Sequence, residues 1–162
     1  MIGIGVIGYG YWGPNLVRNF AETRDAKVVA ICDLDPQRLA QAQTRYPGVE
    51  FTANHLDLLA NPEIEAVAIA TPVSSHYRLA SQALTAGKHV LVEKPLATSS
   101  TEVLKLIEEA ERRRRVLLVD HTFVYTGAVR KIRELITSNA IGELYYYDSV
   151  RVNLGLFQHD VN

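Results

Sequence analysis

The chain has 162 residues, 17 Lys and Arg against 18 Asp and Glu, a net charge of −1, and 48% hydrophobic residues. This is enough for one folded domain and a little more, and it offers no basic field to a nucleic acid. A single cysteine, Cys32, leaves no internal disulfide framework, and no apolar run reaches membrane-spanning length. "MIGIGVIGYG" shows neither a basic leader nor a cleavage site, so the expected setting is cytoplasmic, with no membrane and no nucleic acid among the partners.

The first apolar run predicts a strand over Ile2–Ile7. Gly8, Gly10 and Gly13 follow it in G-x-G-x-x-G spacing, ahead of a helix predicted over Pro14–Glu22. A strand before and a helix after give that spacing its meaning: Gly8 for the tight turn, Gly10 for backbone approach to a pyrophosphate, Gly13 for close helix packing. Amides around Tyr11 and Trp12 then face the anion from a helix N-terminus. The second strand, Lys27–Cys32, stops at Asp33, twenty residues after Gly13, where a dinucleotide site needs a carboxylate for the adenosine ribose. Asp35 competes for that role but, followed by Pro36, is better placed as the N-cap of a helix over Pro36–Tyr46. A carboxylate at the ribose repels a 2′-phosphate, so the cofactor expected is NAD rather than NADP.

Further strands are predicted at Val49–Phe51, Ala66–Ala70, His89–Val92 and Val116–Val119, with helices at Ser75–Ala86, Ser99–Arg114 and Gly127–Ser138. Alternation of this kind defines an α/β fold, a doubly wound parallel sheet of the Rossmann type. The run "ERRRR", Glu111–Arg115, falls at a helix C-terminus, where cations complement the macrodipole, and is read as a solvated helix end. Ligands of such sheets sit beyond the carboxyl ends of the strands. That rule selects Thr71 and Pro72 of "ATPVSSH", and Lys94 of "VLVEKPLA". His76 falls in the first turn of the next helix, where the dipole favours a neutral imidazole; a hydrogen-bonding role at the cofactor and a plain surface position fit its spacing equally well. No metal site is expected.

Taken together, "GYGYWG", "CDLDPQR", "ATPVSSH" and above all "EKPLA" resemble, in order and over essentially the whole chain, the glucose-fructose oxidoreductase, inositol dehydrogenase and MocA family of sugar dehydrogenases. The resemblance implies an NAD-dependent oxidoreductase that takes hydride from a ring hydroxyl of a sugar or nucleotide-sugar substrate. It implies that Lys94 is the catalytic donor or proton relay at that hydroxyl, that Glu93 faces the cofactor near the nicotinamide, that Pro95 fixes the turn, and that Arg38 lies over the adenine. "HTFVYTGAVRKIREL" and "VRVNLGLFQHDVN" most resemble enzymes that oxidise nucleotide-linked N-acetyl sugar uronates, of the UDP-N-acetylglucosaminuronate 3-dehydrogenase type. His121 and Phe123 there fit the substrate side or a packed connection equally.

The end of the chain reads differently. "GELYYYDSVRVNL" sets Leu144, Tyr146, Val150, Val152 and Leu154 on one face of a predicted strand, with Asp148 the exception. The expected division is a Rossmann domain over 1–122, then a connecting helix and the first strand of a truncated second α/β domain over 123–162. The resemblance implies a D-x-x-x-H pair in such a second domain, and no Asp of this chain has a His four positions on. Two readings follow: the cofactor half of a dehydrogenase, weak or inactive alone and a homo-oligomer through its orphan strand; or a free-standing nucleotide-binding sensor or assembly module without catalysis.

Overall fold

The computed structural model describes residues 1–150 and residue 152. It divides into two units, residues 1–120 and residues 121–162. In the first, β1 (Ile2–Ile7), α1 (Gly13–Glu22), β2 (Ala26–Cys32), α2 (Pro36–Arg45), β3 (Glu50–Thr52) and α3 (His55–Ala60) lead to β4 (Ala66–Ile69), α4 (His76–Thr85), β5 (His89–Val92), α5 (Ser100–Arg113) and β6 (Leu117–Val119). All five strand pairings are parallel, in the order β3-β2-β1-β4-β5-β6. The six strands expected before residue 120 are all present, and the sheet is the doubly wound one.

Parallel strands covered on both faces must be apolar on both, and the core divides accordingly. Val29, Ile7, Ile69 and Val92 pack on one side with Leu58, Leu84 and Leu106; Ile4, Val6, Val28 and Ile31 pack on the other with Leu16, Val17 and Ala42. Cys32 is buried among them as a free thiol, and burial raises its pKa to about 11, so it behaves as a small hydrophobe.

Side-chain caps set the helix starts. Asp35 accepts from the Gln37 amide at 2.8 Å, as its place before Pro36 predicts. Ser99 caps α5 by accepting from the Glu102 amide at 3.3 Å, and Glu102 reaches back to the Thr98 amide at 3.1 Å. At the far end of α5, Arg112 and Arg113 both pair with Glu109, so two of the four arginines belong to the helix's own last turns. α3 was not expected. Asn54 caps it through the Leu56 amide, and it buries Leu58 and Leu59; with six residues, its helicity comes from that packing rather than from periodicity.

Among its described residues the second unit holds a 3₁₀ turn, Thr122–Tyr125, followed by α6 (Gly127–Thr137). The strand expected from Leu144 onward does not form over the described residues: 144–150 and 152 carry no regular structure. Alternation alone cannot make a strand, because its backbone groups need a ladder partner. Leu154 and the final "GLFQHDVN" lie outside the described residues.

Lys88 ties the first unit together from inside. The residue is 9% exposed, and its ammonium donates to the Asn61 and Ile64 carbonyls at 2.8 and 2.7 Å, joining the start of β5 to the α3–β4 connection. Lys88→Met keeps the apolar stem but strips both carbonyls of their donor. The expected loss is about 1–3 kcal/mol, read as a lower urea midpoint at unchanged m-value.

Candidate functional site

Strand order reverses between β1 and β4, both of which leave the sheet at the same edge. On one side of this switch point lies the glycine loop. Gly8 has φ +96° and its amide donates to the Cys32 carbonyl at 2.8 Å; a Cβ there would stand 2.6 Å from the Ala70 carbonyl oxygen. At Gly13 a Cβ would stand 2.1 Å from the Gly8 oxygen, so α1 starts backbone against backbone. Gly10 is different, because its Cβ would meet only the Arg38 guanidinium, at 3.2 Å. The loop backbone is therefore open outward at the N-terminus of α1, whose first turn has Pro14 and no acidic side chain. That is the geometry of an anion cradle. Tyr11 and Trp12 follow Gly10 in this loop, both exposed, with ring centroids 6.3 Å apart.

Asp33 ends β2 and is only 8% exposed. One carboxylate oxygen accepts from the Tyr9 amide at 2.6 Å and the other from the Asp35 amide at 2.8 Å. A carboxylate offers about four acceptor positions, so lone pairs remain for ribose hydroxyls. The Arg38 guanidinium stands 3.8 Å from Asp33 and 3.4 Å from Asp35, which holds its plane beside the loop.

Across the switch point, Thr71 Oγ1 bonds Ser75 Oγ at 2.7 Å and Pro72 opens the 3₁₀ turn before α4. His76 is 1% exposed. Its Nε2 lies 2.7 Å from the Thr71 carbonyl oxygen and its Nδ1 2.8 Å from that of Pro95. Both ring nitrogens face main-chain carbonyl oxygens, and a neutral imidazole donates to one of them; His76 thus lies between the loops after β4 and β5 and presents no nitrogen outward. That is neither of the roles its spacing suggested.

The loop after β5 carries Glu93 and Lys94, joined to Pro95 by a cis peptide. Glu93 Oε2 accepts from the Lys94 amide at 3.2 Å. Burial and the neighbouring Asp120 carboxyl push the Glu93 carboxyl up to about 7, against the opposing Lys94 amide and charge. Lys94 is exposed. Asp120, directly after β6, accepts from Trp12 Nε1 at 3.4 Å, tying the glycine loop to the far strands. Sequence reasoning passed over Asp120, although it follows β6 just as Glu93 follows β5. His121 and Phe123 fall in the second unit.

A Gly-rich turn, a helix N-terminus and a strand-end carboxylate, assembled at a switch point, define a dinucleotide-binding Rossmann protein. The sequence profile of the GFO/IDH/MocA oxidoreductase family, with its NAD-binding Rossmann fold, matches residues 2–121, and the chain belongs to that family. It is 33% identical over 147 residues to the 1-carboxy-3-chloro-3,4-dihydroxycyclohexa-1,5-diene dehydrogenase of Comamonas testosteroni, covering 91% of this chain and 37% of that protein. Identity is 30% over 148 residues to the dTDP-3,4-didehydro-2,6-dideoxy-alpha-D-glucose 3-reductase of Saccharopolyspora spinosa, covering 91% and 44%. The crystal structure of GenD2, from gentamicin A biosynthesis, in complex with NAD superposes with a TM-score of 0.81 at 29% identity, over 86% of this chain and 40% of that one. The chain thus spans less than half the length of these relatives.

The two interior glycines separate stability from binding. Gly13→Ala drives a methyl into backbone and should cost more than about 2 kcal/mol of unfolding free energy. Gly10→Ala meets only a flexible guanidinium, so the fold should hold to within about 1 kcal/mol while NADH affinity falls at least about tenfold as the methyl covers the pyrophosphate surface.

Glu93 gives a pH signature. Its folded value, about 7, lies above the ordinary carboxylate value of about 4.3. Its contribution to stability is therefore fully present below that ordinary value and is lost as pH rises through 7. Glu93→Gln should stabilise the fold by about 1 kcal/mol at pH 8, the full linkage being reduced by solvent screening, and leave it unchanged at pH 4. Thermal melts at the two pH values check this.

Proposed function

We propose that this chain is the cofactor-binding part of an NAD-dependent dehydrogenase that oxidises a ring hydroxyl of a nucleotide-linked sugar. The observation that carries the reading is the placement of the exposed Lys94 beyond β5, separated from the glycine loop after β1 only by β4. A substrate carbon facing a nicotinamide in that crevice has a lysine amine on its hydroxyl side. The Saccharopolyspora spinosa relative, whose name describes reduction at C3 of a dTDP-linked sugar, supports the substrate class, and the resemblance of "HTFVYTGAVRKIREL" narrows it to an N-acetyl sugar uronate.

The residues divide the work as follows. NAD, when bound, supplies the hydride acceptor. Asp33 takes the adenosine ribose hydroxyls on its remaining lone pairs, and Arg38, held by Asp33 and Asp35, covers the adenine. Amides of Gly10, Tyr11 and Trp12 hold the pyrophosphate. Thr71 and Pro72 line the crevice toward the nicotinamide, with Glu93 at its far wall. Lys94 hydrogen-bonds the reacting hydroxyl and accepts or relays its proton as hydride leaves the same carbon. His76 is a positioning residue for the loops that carry Thr71 and Lys94. Because the chain spans less than half its relatives' length, turnover is assigned to the whole protein and cofactor binding to this part.

Trp12 is the only tryptophan and lies in the glycine loop, so energy transfer to bound NADH reports the site directly. Saturable transfer with NADH preferred over NADPH is the expected result, and Asp33→Ser should narrow the preference. Tighter binding of NADPH would overturn the role of Asp33. In the whole protein, Lys94→Met should leave NADH affinity within about twofold and cut sugar-dependent NADH formation by about 10²-fold or more.

A further inference from the structure

β5 and β6 run parallel with Val92 opposite Val119, and the ladder continues one step further through the Asp120 amide to the Val92 carbonyl at 2.9 Å. Glu93 and Asp120 are the next cross-strand neighbours, on backbones about 4.8 Å apart. Glu93 Oε2 has the Lys94 amide, while Glu93 Oε1 is sealed from solvent and has no hydrogen-bond donor. An ionised carboxylate can only accept, so with both groups charged that oxygen would be buried, unsatisfied and facing a second carboxylate. A proton placed between the two carboxyls removes both faults. Asp120 is held ready as the acceptor by the Trp12 indole, which also anchors the pair to the glycine loop.

We infer, on the strength of the NAD reading above, that Glu93 and Asp120 share one proton and make the site discriminate between the oxidised and reduced nicotinamide. With the proton in place the pair carries one negative charge, and without it two; the second charge favours the cationic ring of NAD⁺ and is indifferent to the neutral ring of NADH. The charged groups that act on Glu93 are Asp120 from the end of β6 and Lys94 from its own loop. Trp12 contributes a neutral donor, and the imidazole of His76 faces two carbonyls. Because Glu93 titrates near 7, the second charge develops across neutral pH. NAD⁺ binding pulls the shared proton off, and its affinity rises with pH.

Calorimetric titration of the 162-residue chain with NAD⁺ and with NADH between pH 5.5 and 8.5 tests this. The ratio Kd(NAD⁺)/Kd(NADH) should fall on the order of tenfold across that range, the equivalent of a one-unit shift of the pair on NAD⁺ binding, stay flat in Glu93→Gln, and begin its fall at lower pH in Asp120→Asn, where burial of Glu93 remains but the second carboxyl does not. A ratio that is flat in the unsubstituted chain while both nucleotides bind overturns the shared proton and leaves the NAD site standing. A slope that persists in Glu93→Gln, or one that does not move in Asp120→Asn, overturns it as well. Binding of neither nucleotide at any pH removes the NAD reading itself, and this inference with it.

Discussion

The glycine-loop side of the candidate site depends on the Asp33 carboxylate. This group sits at the end of β2, nearly buried, with one oxygen on the Tyr9 amide and the other on the Asp35 amide. The first bond fixes the path of the glycine loop leaving β1. The second fixes the turn that lets Asp35 cap α2 and bring Arg38 back over the loop. A buried carboxylate costs free energy unless it is hydrogen-bonded, and here the satisfying donors are the backbone groups whose positions binding requires. The group proposed to take the ribose also shapes the cradle, so its removal would affect geometry and recognition together.

The opposite wall of the crevice is built on the same logic with a different residue. His76, one of the few polar side chains in the core, lies between the Thr71 and Pro95 carbonyls, setting the spacing between the loops after β4 and β5. Between the two walls, Trp12 and Asp120 connect the glycine loop to β6. The crevice is therefore framed by three polar contacts at strand ends, carried on a sheet whose apolar faces supply the rigidity. Rigid elements below and hydrogen-bonded loops above are what a site needs in order to orient a reactive ring against a lysine.

Much of this was legible in the sequence because it is local. The glycine spacing, the Asp35–Pro36 helix start, and the alternation of strands and helices all report on neighbours in the chain. What was not legible depends on distance or on a partner. α3 owes its existence to Leu58 and Leu59 packing on the sheet. His76 could not be assigned, because one of its two acceptors lies nineteen residues away. The Glu93–Asp120 relation needs the β5–β6 register. The strand expected at Leu144 is absent over the described residues for the converse reason: its alternation is real, but the pattern does not provide a ladder.

The loop over Gly8–Gly13 and the carboxylate of Asp33 are proposed to form one NAD site. A crystal structure of the chain with NAD bound tests this most directly. The account predicts the pyrophosphate on the amides of Gly10 to Gly13, the adenosine ribose hydroxyls on Asp33 beside Arg38, and the nicotinamide between Thr71 and Glu93. A nucleotide lodged elsewhere, or one whose ribose avoids Asp33 while that carboxylate keeps only Tyr9 and Asp35, would contradict it.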